Sequence, residues 1–306
     1  MKARIVTFIV LLIYLNIMGC KNKAALDDNG APKTLIIAVF GGESPGLIKT
    51  VYEPIRKYIE VKLGMPVEMV YTTDYTAVIE ALKSKKVHVA YLSPFSYVIA
   101  AKNANITPIA VLGADGKPSL YNSNIITGIH SGINSMADVK NRSKNLTLCF
   151  VDPESASGHL VPRAYLNSIG LNPDTAFKQT LFAGGHLASV LSVKSGKIDI
   201  GCTAKMVLDI MISRNMIKKD DIKILWTSAP IVSDPIVIRN DINKEFAKKV
   251  QDAYLDMGRD APLVLHNYLK VLLKENSSLS FMVAQDSFYN GVRKIANGIK
   301  GLKLVN

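Results

Sequence analysis

Residues 67–98, VEMVYTTDYTAVIEALKSKKVHVAYLSPFSYV, hold the pattern that decides the fold class. Val67 to Tyr71 reads as a strand, and Asp74 then caps a helix from Tyr75 to about Ser84. Val87 to Leu92 is again a strand. Ser93-Pro94 opens another helix, to about Asn103, with a capping hydroxyl followed by proline at the first helical position. Strand and helix in alternation predict an α/β protein whose sheets are largely parallel.

The alternation runs outward in both directions. Upstream, Thr34 to Phe40 is a strand, and Ser44-Pro45 starts a helix through Leu47, Val51, Ile55 and Ile59 that stops at Gly64. Downstream, strands are expected at Leu146 to Val151, Thr180 to Phe182, Ile198 to Cys202 and Ile222 to Trp226. Helices are expected at about Gly158 to Ile169, Leu187 to Lys194 and Ala204 to Asn215. The tail from Asn243 to Lys303 reads as mostly helical, with a break at Asn276-Ser277-Ser278. At about 150 residues per domain, two lobes are expected. Sections 115–128 and 227–240 read as crossings between them. The expected division places 33–124 and 233–306 in the first lobe and 125–232 in the second.

Met1 to Gly19 carries Lys2 and Arg4, no acid, and an apolar run from Ile5 to Met18 broken only by Thr7 and Asn16. A basic start, a short apolar core and small residues before a cut site make an export signal over 1–19. The run is too short to span a hydrocarbon layer ~30 Å thick, which needs about 20 apolar residues. Leu15-Asn16-Ile17-Met18-Gly19-Cys20 has the form of a bacterial lipobox, in which Cys20 is lipidated and becomes the first residue. Two lipid chains would hold such a protein firmly to the cell membrane, on its periplasmic or extracytoplasmic face. Residues 20–32, with Asn, Ala, Asp and Gly and no apolar periodicity, read as a flexible tether.

Removing the signal leaves 287 residues and lowers the formal charge from +12 to +10. No later stretch reaches the roughly 18 apolar residues of a membrane helix. The lysines are scattered, as in Lys83-Ser84-Lys85-Lys86, and no basic helix carries interleaved aromatics, so nucleic acid is not an expected partner. The five histidines lack metal-ligand spacing, so no metal or other cofactor is expected. Cys149 and Cys202 end strand-like runs; a disulfide is compatible with export, and buried free thiols are the expectation.

What sits at the helix starts points to a ligand. Unpaired backbone N–H groups and the positive end of the helix dipole make such starts anion sites. The turns in question are Ser44-Pro45, Asp74-Tyr75, Ser93-Pro94, Ser155-Ala156-Ser157-Gly158 and Gly184-Gly185-His186. In open α/β sheets, ligands bind at the carboxyl ends of strands, where these turns lie. One Ser-Pro start is ordinary capping, whereas five donor-rich turns form a pattern. The sharpest is Asp152-Pro153-Glu154-Ser155-Ala156-Ser157-Gly158-His159, where Gly158 would let the backbone approach a ligand closely. Pro162 removes one backbone bond and predicts a distorted or late first turn.

Four stretches carry a family resemblance: TTDYTAVIEALKSKKVHVAYLSPFSYV, DPESASGHLVPRAYL, FAGGHLASVLSVKSGKIDIG and SDPIVIR. Together they resemble the phosphate/phosphite/phosphonate substrate-binding proteins of ABC importers. The resemblance implies the type II-like periplasmic-binding-protein fold, with two lobes, each a mostly parallel sheet flanked by helices, joined by hinge strands. It implies a small phosphorus oxyanion as ligand, an ABC permease with its ATPase as partner, and no catalysis. Tyr75, Ser155, Ser157, His186 and Asp234 are the implied contacts, with Tyr91 and Ser93 as secondary ones. Hydroxyls and an imidazole N–H donate to an anion, whereas Asp234 accepts only from a ligand that carries a proton or an amine.

The chain also departs from the aminoalkylphosphonate binders. Where they carry an aromatic hydroxyl after the third strand, Leu92 stands beside Tyr91. They place a carboxylate for the ligand amine after the strand corresponding to Ile198–Cys202, where Thr203-Ala204-Lys205 offers none. An enzyme reading finds no G-x-S-x-G elbow, and Ser157 and His159 are too close in sequence to pair as nucleophile and base. A lipid-anchored sensor or surface protein on the same fold is the alternative, since fold does not dictate use.

Overall fold

The computed structural model describes residues 24–41, 45–272, 278–299 and 301–302. The export signal, Cys20, Ser44 and the break expected at Asn276-Ser277 lie outside the described residues. In chain order the elements begin with β1 (Leu35–Phe40), α1 (Pro45–Leu63), β2 (Val67–Thr72), α2 (Tyr75–Lys83), β3 (Val89–Tyr91) and α3 (Pro94–Asn103). Next come β4 (Ile106–Ala114), β5 (Lys117–Pro118), β6 (Leu120–Tyr121), β7 (Ser123–Gly128), α4 (Met136–Arg142) and β8 (Thr147–Phe150). A π-helical turn (Ala156–Leu160) runs into α5 (Val161–Ser168), followed by β9 (Gln179–Phe182), α6 (His186–Lys194), β10 (Ile200–Ala204) and α7 (Lys205–Ser213). The chain continues through β11 (Ile222–Thr227), β12 (Ile231–Val232), β13 (Ile236–Arg239), α8 (Lys244–Leu255), α9 (Met257–Asp260) and α10 (Pro262–Leu272). It ends with β14 (Ser280–Val283) and α11 (Asn290–Gly298).

These elements build two lobes. One sheet has the order β14-β4-β13-β3-β1-β2, with β5 against β4, and the other the order β11-β7-β10-β8-β9. Between them β6 and β12 pair with each other, so the outgoing and returning crossings run side by side. The α/β, two-lobed architecture is as the alternation predicts, but the sheets are mixed rather than largely parallel. Parallel pairs join β1 to β2 and β3, and β8 to β9 and β10; the remaining pairs are antiparallel. The reason is topological. A strand arriving from the other lobe enters at the end of the sheet that faces that lobe, so it must run against the resident strands. Thus β13 starts opposite Tyr91, where β3 ends, and β7 starts opposite Ala204, where β10 ends.

Four apolar clusters fill the two faces of each sheet. One also joins the lobes: Ala156, Leu160 and Val161 of the second pack in the same cluster as Val292 and Ala296 of α11. Cys149 and Cys202 are buried free thiols. The tail is not wholly helical, since Ser280–Val283 adds an edge strand to β4. Four residues are too few for periodicity to declare a strand, and the partner is more than 160 residues away in sequence, at Ala110–Gly113.

Residues 24–32 are docked rather than a free tether. Ala24 is buried, and Leu26 bridges to Pro32 around a turn held by the Asp27 carboxylate, which accepts the N–H groups of Asn29 and Ala31, both at 2.9 Å. The π turn has an equally local cause. Leu160 donates to the Ser155 carbonyl at 3.0 Å and Val161 to that of Ala156, both five residues back. Pro162 cannot donate to Gly158, whose carbonyl instead accepts the Val151 N–H at 3.1 Å. The close approach that Gly158 permits is therefore to Val151 and not to a ligand. A Cβ at 158 would stand 2.3 Å from Val151 Cγ2 and 2.8 Å from Ser155 Oγ.

Gly158→Ala should therefore overpack this junction and cost roughly 1–3 kcal/mol in denaturant unfolding. Gly46→Ala, which meets nothing within 4 Å, should leave stability unchanged or slightly raised. Equal midpoints for Gly158→Ala and wild type would show that the junction gives way freely.

Candidate ligand-binding site

A half-open cavity of about 140 Å³ lies where the two sheets face each other. At about 30 Å³ per water, it holds some five heavy atoms, the size of one tetrahedral oxyanion. A larger groove of about 1170 Å³ runs between the docked N-terminal segment, α1 and β2, but it mixes Asp27, Asp28 and Glu68 with Lys33, Lys49 and Arg56 and focuses neither charge. The small cavity is different. Tyr75, Tyr91, Ser93, Ser155, Ser157, His186 and Asp234 all line it, drawn from both lobes.

Five helix starts meet here. Tyr75 is the first residue of α2, whose cap Asp74 accepts the Ala77 N–H at 2.7 Å. Ser93 caps α3, and Ser155 caps the π turn by accepting the Gly158 N–H at 3.0 Å. His186 opens α6 behind Gly185, and Ala204 precedes α7, whose Met206 and Val207 complete the wall. None of the described lining residues is lysine or arginine. A bound anion would be met by dipoles and N–H groups in place of a cation.

The side chains are held individually. Tyr75 stacks on Phe40 with ring centroids 4.0 Å apart. The Ser157 carbonyl accepts from Ser123 Oγ at 2.5 Å, and its hydroxyl interacts with the Tyr121 phenol. His186 Nδ1 accepts the Ala204 N–H at 3.0 Å, which leaves the ring proton on Nε2. Ser93 Oγ accepts the Ser96 N–H at 3.1 Å and donates to the Glu154 carbonyl across the lobes at 2.9 Å. Its hydroxyl is thus committed to cap and lobe contact, although it borders the cavity. Tyr91 contributes its ring, but its hydroxyl is shut away from solvent, among Tyr52 and Tyr254 at centroid distances of 4.9 and 6.0 Å. Strand alternation cannot reveal where the tip of a tyrosine points.

Asp234 is the one carboxylate among the described lining residues. Its side chain is solvent-exposed at the half-open cavity, and desolvation by the surrounding walls pushes its carboxyl up to about 7. Backbone bonds fix it on both sides: Ser233 N–H to the Ser119 carbonyl at 2.9 Å, and Leu92 N–H to that of Pro235 at 3.1 Å. Its negative charge, after their own burial, helps to hold the phenols of Tyr52, Tyr121, Tyr268 and Tyr289 protonated. Tyr52 and Tyr121 line the cavity too, and the residue patterns missed both. Tyr52 lies inside a helix read only for its core face. Tyr121 lies in a crossing read only as a connection, and its one signal was an aromatic hydroxyl between two lobes.

Glu154 stands just outside this wall. It is 1% exposed, and neither carboxyl oxygen reaches hydrogen-bonding geometry, although Asp152 and, from the first lobe, Thr76 are close. Burial, then the neighbouring Asp152, push its carboxyl up to about 8. Its own carbonyl takes both the Ser93 and Ser96 hydroxyls, at 2.9 and 3.1 Å.

Two lobes closing on a small, donor-lined cavity define a solute-binding protein. The sequence profile described as the periplasmic substrate-binding protein of phosphonate ABC transporters matches residues 37–289, and the chain belongs to that family. It is similar to the phosphate-import protein PhnD of Mycolicibacterium smegmatis, with 30% identity over 239 residues, 74% of this chain and 72% of the relative. The phosphonates-binding periplasmic protein of Escherichia coli is 30% identical over 228 residues, 74% of this chain and 67% of the relative. Among solved structures, a binding protein of an ABC phosphonate transporter from Pseudomonas aeruginosa superposes with TM-score 0.76 at 27% identity, over 86% of this chain and 85% of that one. PhnD1 of Prochlorococcus marinus, solved with methylphosphonate, gives TM-score 0.74 at 20% identity over 87% and 97%, a likeness of fold. The family is one of transport receptors and not of enzymes. Among the described residues no helix is long and apolar enough to cross a membrane.

The two raised carboxyls set a pH dependence. A carboxyl whose pKa is raised by folding stabilises the fold while protonated, and that contribution is lost as pH rises through the folded value. Between about pH 4 and 6.5 this loss is offset by His88 and His159, which burial holds neutral with pKa values lowered to about 4. Ligand-free protein should therefore melt lower as pH climbs from about 6.5 to 8. Glu154→Gln, which keeps the shape of the neutral acid, should match wild type at pH 5 and melt higher at pH 8. Scanning calorimetry with parallel curves for the two proteins would remove Glu154 from this role.

Proposed function

We propose that the protein is a lipid-anchored receptor that captures phosphate, phosphite or a simple phosphonate between its lobes and passes it to an ABC permease driven by its ATPase. The observation that carries this reading is a cavity of about 140 Å³ ringed by helix starts, with one carboxylate and no lysine or arginine among its described lining residues. In this reading Tyr75, Ser155, Ser157 and His186 donate to the oxyanion, and Tyr121 joins them. Lobe one comprises 33–124 and 233–306, lobe two 125–232, and closure bends the paired crossings at β6 and β12. Lipidation at Cys20 holds the exported protein at the membrane. A sensor on the same fold would use the same cavity and differ in its downstream partner.

Asp234 sets the selection. Above about pH 7, where Asp234 is ionised, its carboxylate repels an anion unless the ligand donates a proton to it. Sulfate at neutral pH has no such proton, whereas hydrogen phosphate, monoprotonated phosphite and a monoprotonated phosphonate do. An aminoethylphosphonate ammonium would meet Met206 and Val207 at the first turn of α7, with no carboxylate there. The expected order is phosphate, phosphite or methylphosphonate above aminoethylphosphonate, with sulfate unbound.

Thermal shift against these oxyanions tests the order, since a ligand at 100 times its dissociation constant adds about 2.7 kcal/mol to stability. Asp234→Asn should weaken the selected ligand by roughly 1.5–3 kcal/mol, the range for hydrogen bonds to charged groups, and narrow its advantage over sulfate. Tight sulfate binding by wild type, or aminoethylphosphonate as the best ligand, would sink this assignment.

A further inference from the structure

We infer that the docked segment 24–32 fixes the membrane anchor to the pole of the first lobe opposite the cavity, so that this pole is the membrane-facing surface of the protein. The inference rests on the lipidation of Cys20 proposed above. Its structural ground is separate. Ala24 is 2% exposed and belongs to the core cluster beneath α2 and α3. His88 ties it to β1, one ring nitrogen on each. Nδ1 accepts the Ile36 N–H at 2.9 Å, so Nε2 carries the proton and donates to the Ala24 carbonyl at 3.1 Å. Asn243 takes hold further along, its N–H on the Gly30 carbonyl at 2.8 Å and its amide on that of Asn29 at 3.0 Å. Arg239 braces the same end through the carbonyls of Lys85 and Val87, at 3.0 and 3.1 Å.

The position of that clamp follows from strand direction. Ile36 and His88 lie at the starts of β1 and β3, whereas Phe40 and Tyr91, at the ends of the same strands, line the cavity. At about 3.3 Å per residue, Ile36 to Phe40 places the clamp some 13 Å up the strand from the cavity, on the far side of the lobe.

Covalent geometry supplies the rest. From Cys20 to Ala24 the chain advances four residues, which span at most about 14 Å whatever their conformation. A chain of this length folds into a body roughly 50 Å across. A leash so much shorter than the body cannot let it turn over, so the pole at Ala24 stays against the bilayer and the second lobe stands away from it.

The test uses full-length, lipidated protein in vesicles that carry a quencher on the lipid headgroup. Cys149 and Cys202 are buried, so one introduced surface cysteine takes a fluorescent label. Lys86→Cys reports the clamped pole, and Lys197→Cys, before β10, reports the far pole of the second lobe; both positions are exposed. Quenching should be several-fold stronger at 86 than at 197, and a twelve-residue Gly/Ser insertion between Lys23 and Ala24 should reduce it at 86. Equal quenching at the two sites, stronger quenching at 197, or no effect of the insertion would overturn the orientation. Wild type absent from the membrane fraction, or Cys20→Ser retained there, would instead bring down the lipidation and the orientation with it.

Discussion

The site depends on one electrostatic constraint: a cavity sized for an anion contains no lysine or arginine among its described lining residues. Favourable potential must then come from backbone, and backbone offers it only at helix starts, where N–H groups lack partners and the dipole is positive. One helix start supplies about half a charge, so several must converge. Convergence in turn demands two sheets whose strand ends face each other. Tyr75, Ser93, Ser155, His186 and Ala204 each sit where a strand hands over to a helix, so the fold and the ligand chemistry are one requirement.

The same constraint explains Asp234. A cavity lined by dipoles alone would accept any tetrahedral anion of the right size. In the function proposed above, a carboxylate set among them, once ionised above about pH 7, would convert size recognition into proton recognition, because it would tolerate only an anion that donates. The surrounding phenols sharpen the distinction: burial and the field of Asp234 keep Tyr52 and Tyr121 protonated, as donors. A cation beside Asp234 would quench its repulsion and with it the discrimination.

Local chemistry was legible in the residue pattern and long-range geometry was not. Asp74, Ser93 and Ser155 declare helix starts because a cap bonds to residues two or three positions on. Pro162 foretold an irregular turn for the same reason. By contrast, β14, the antiparallel entry of β13 and the docking of Ala24 are settled by partners far away in sequence. The seven expected site residues do gather at one cavity, yet the Tyr91 hydroxyl is shut away and the Ser93 hydroxyl is committed to a lobe contact. Residue type and position show that a side chain can reach a site; packing decides which atom arrives.

Tyr121 and Asp234 show why the crossings deserve as much weight as the helix starts. Tyr121 ends β6, and Asp234 follows β12 by two residues, so each crossing delivers one polar group to the cavity wall. In the proposed receptor, the segments that bend when the lobes move would therefore be the segments that touch what is bound. A ligand that satisfies both groups holds the two crossings in the register seen at Leu120–Tyr121 and Ile231–Val232. One that leaves Asp234 without a donor places an uncompensated charge at the hinge itself, so mismatch acts directly on closure. Selectivity and lobe motion then draw on the same few bonds, and a change at either crossing is bound to alter both.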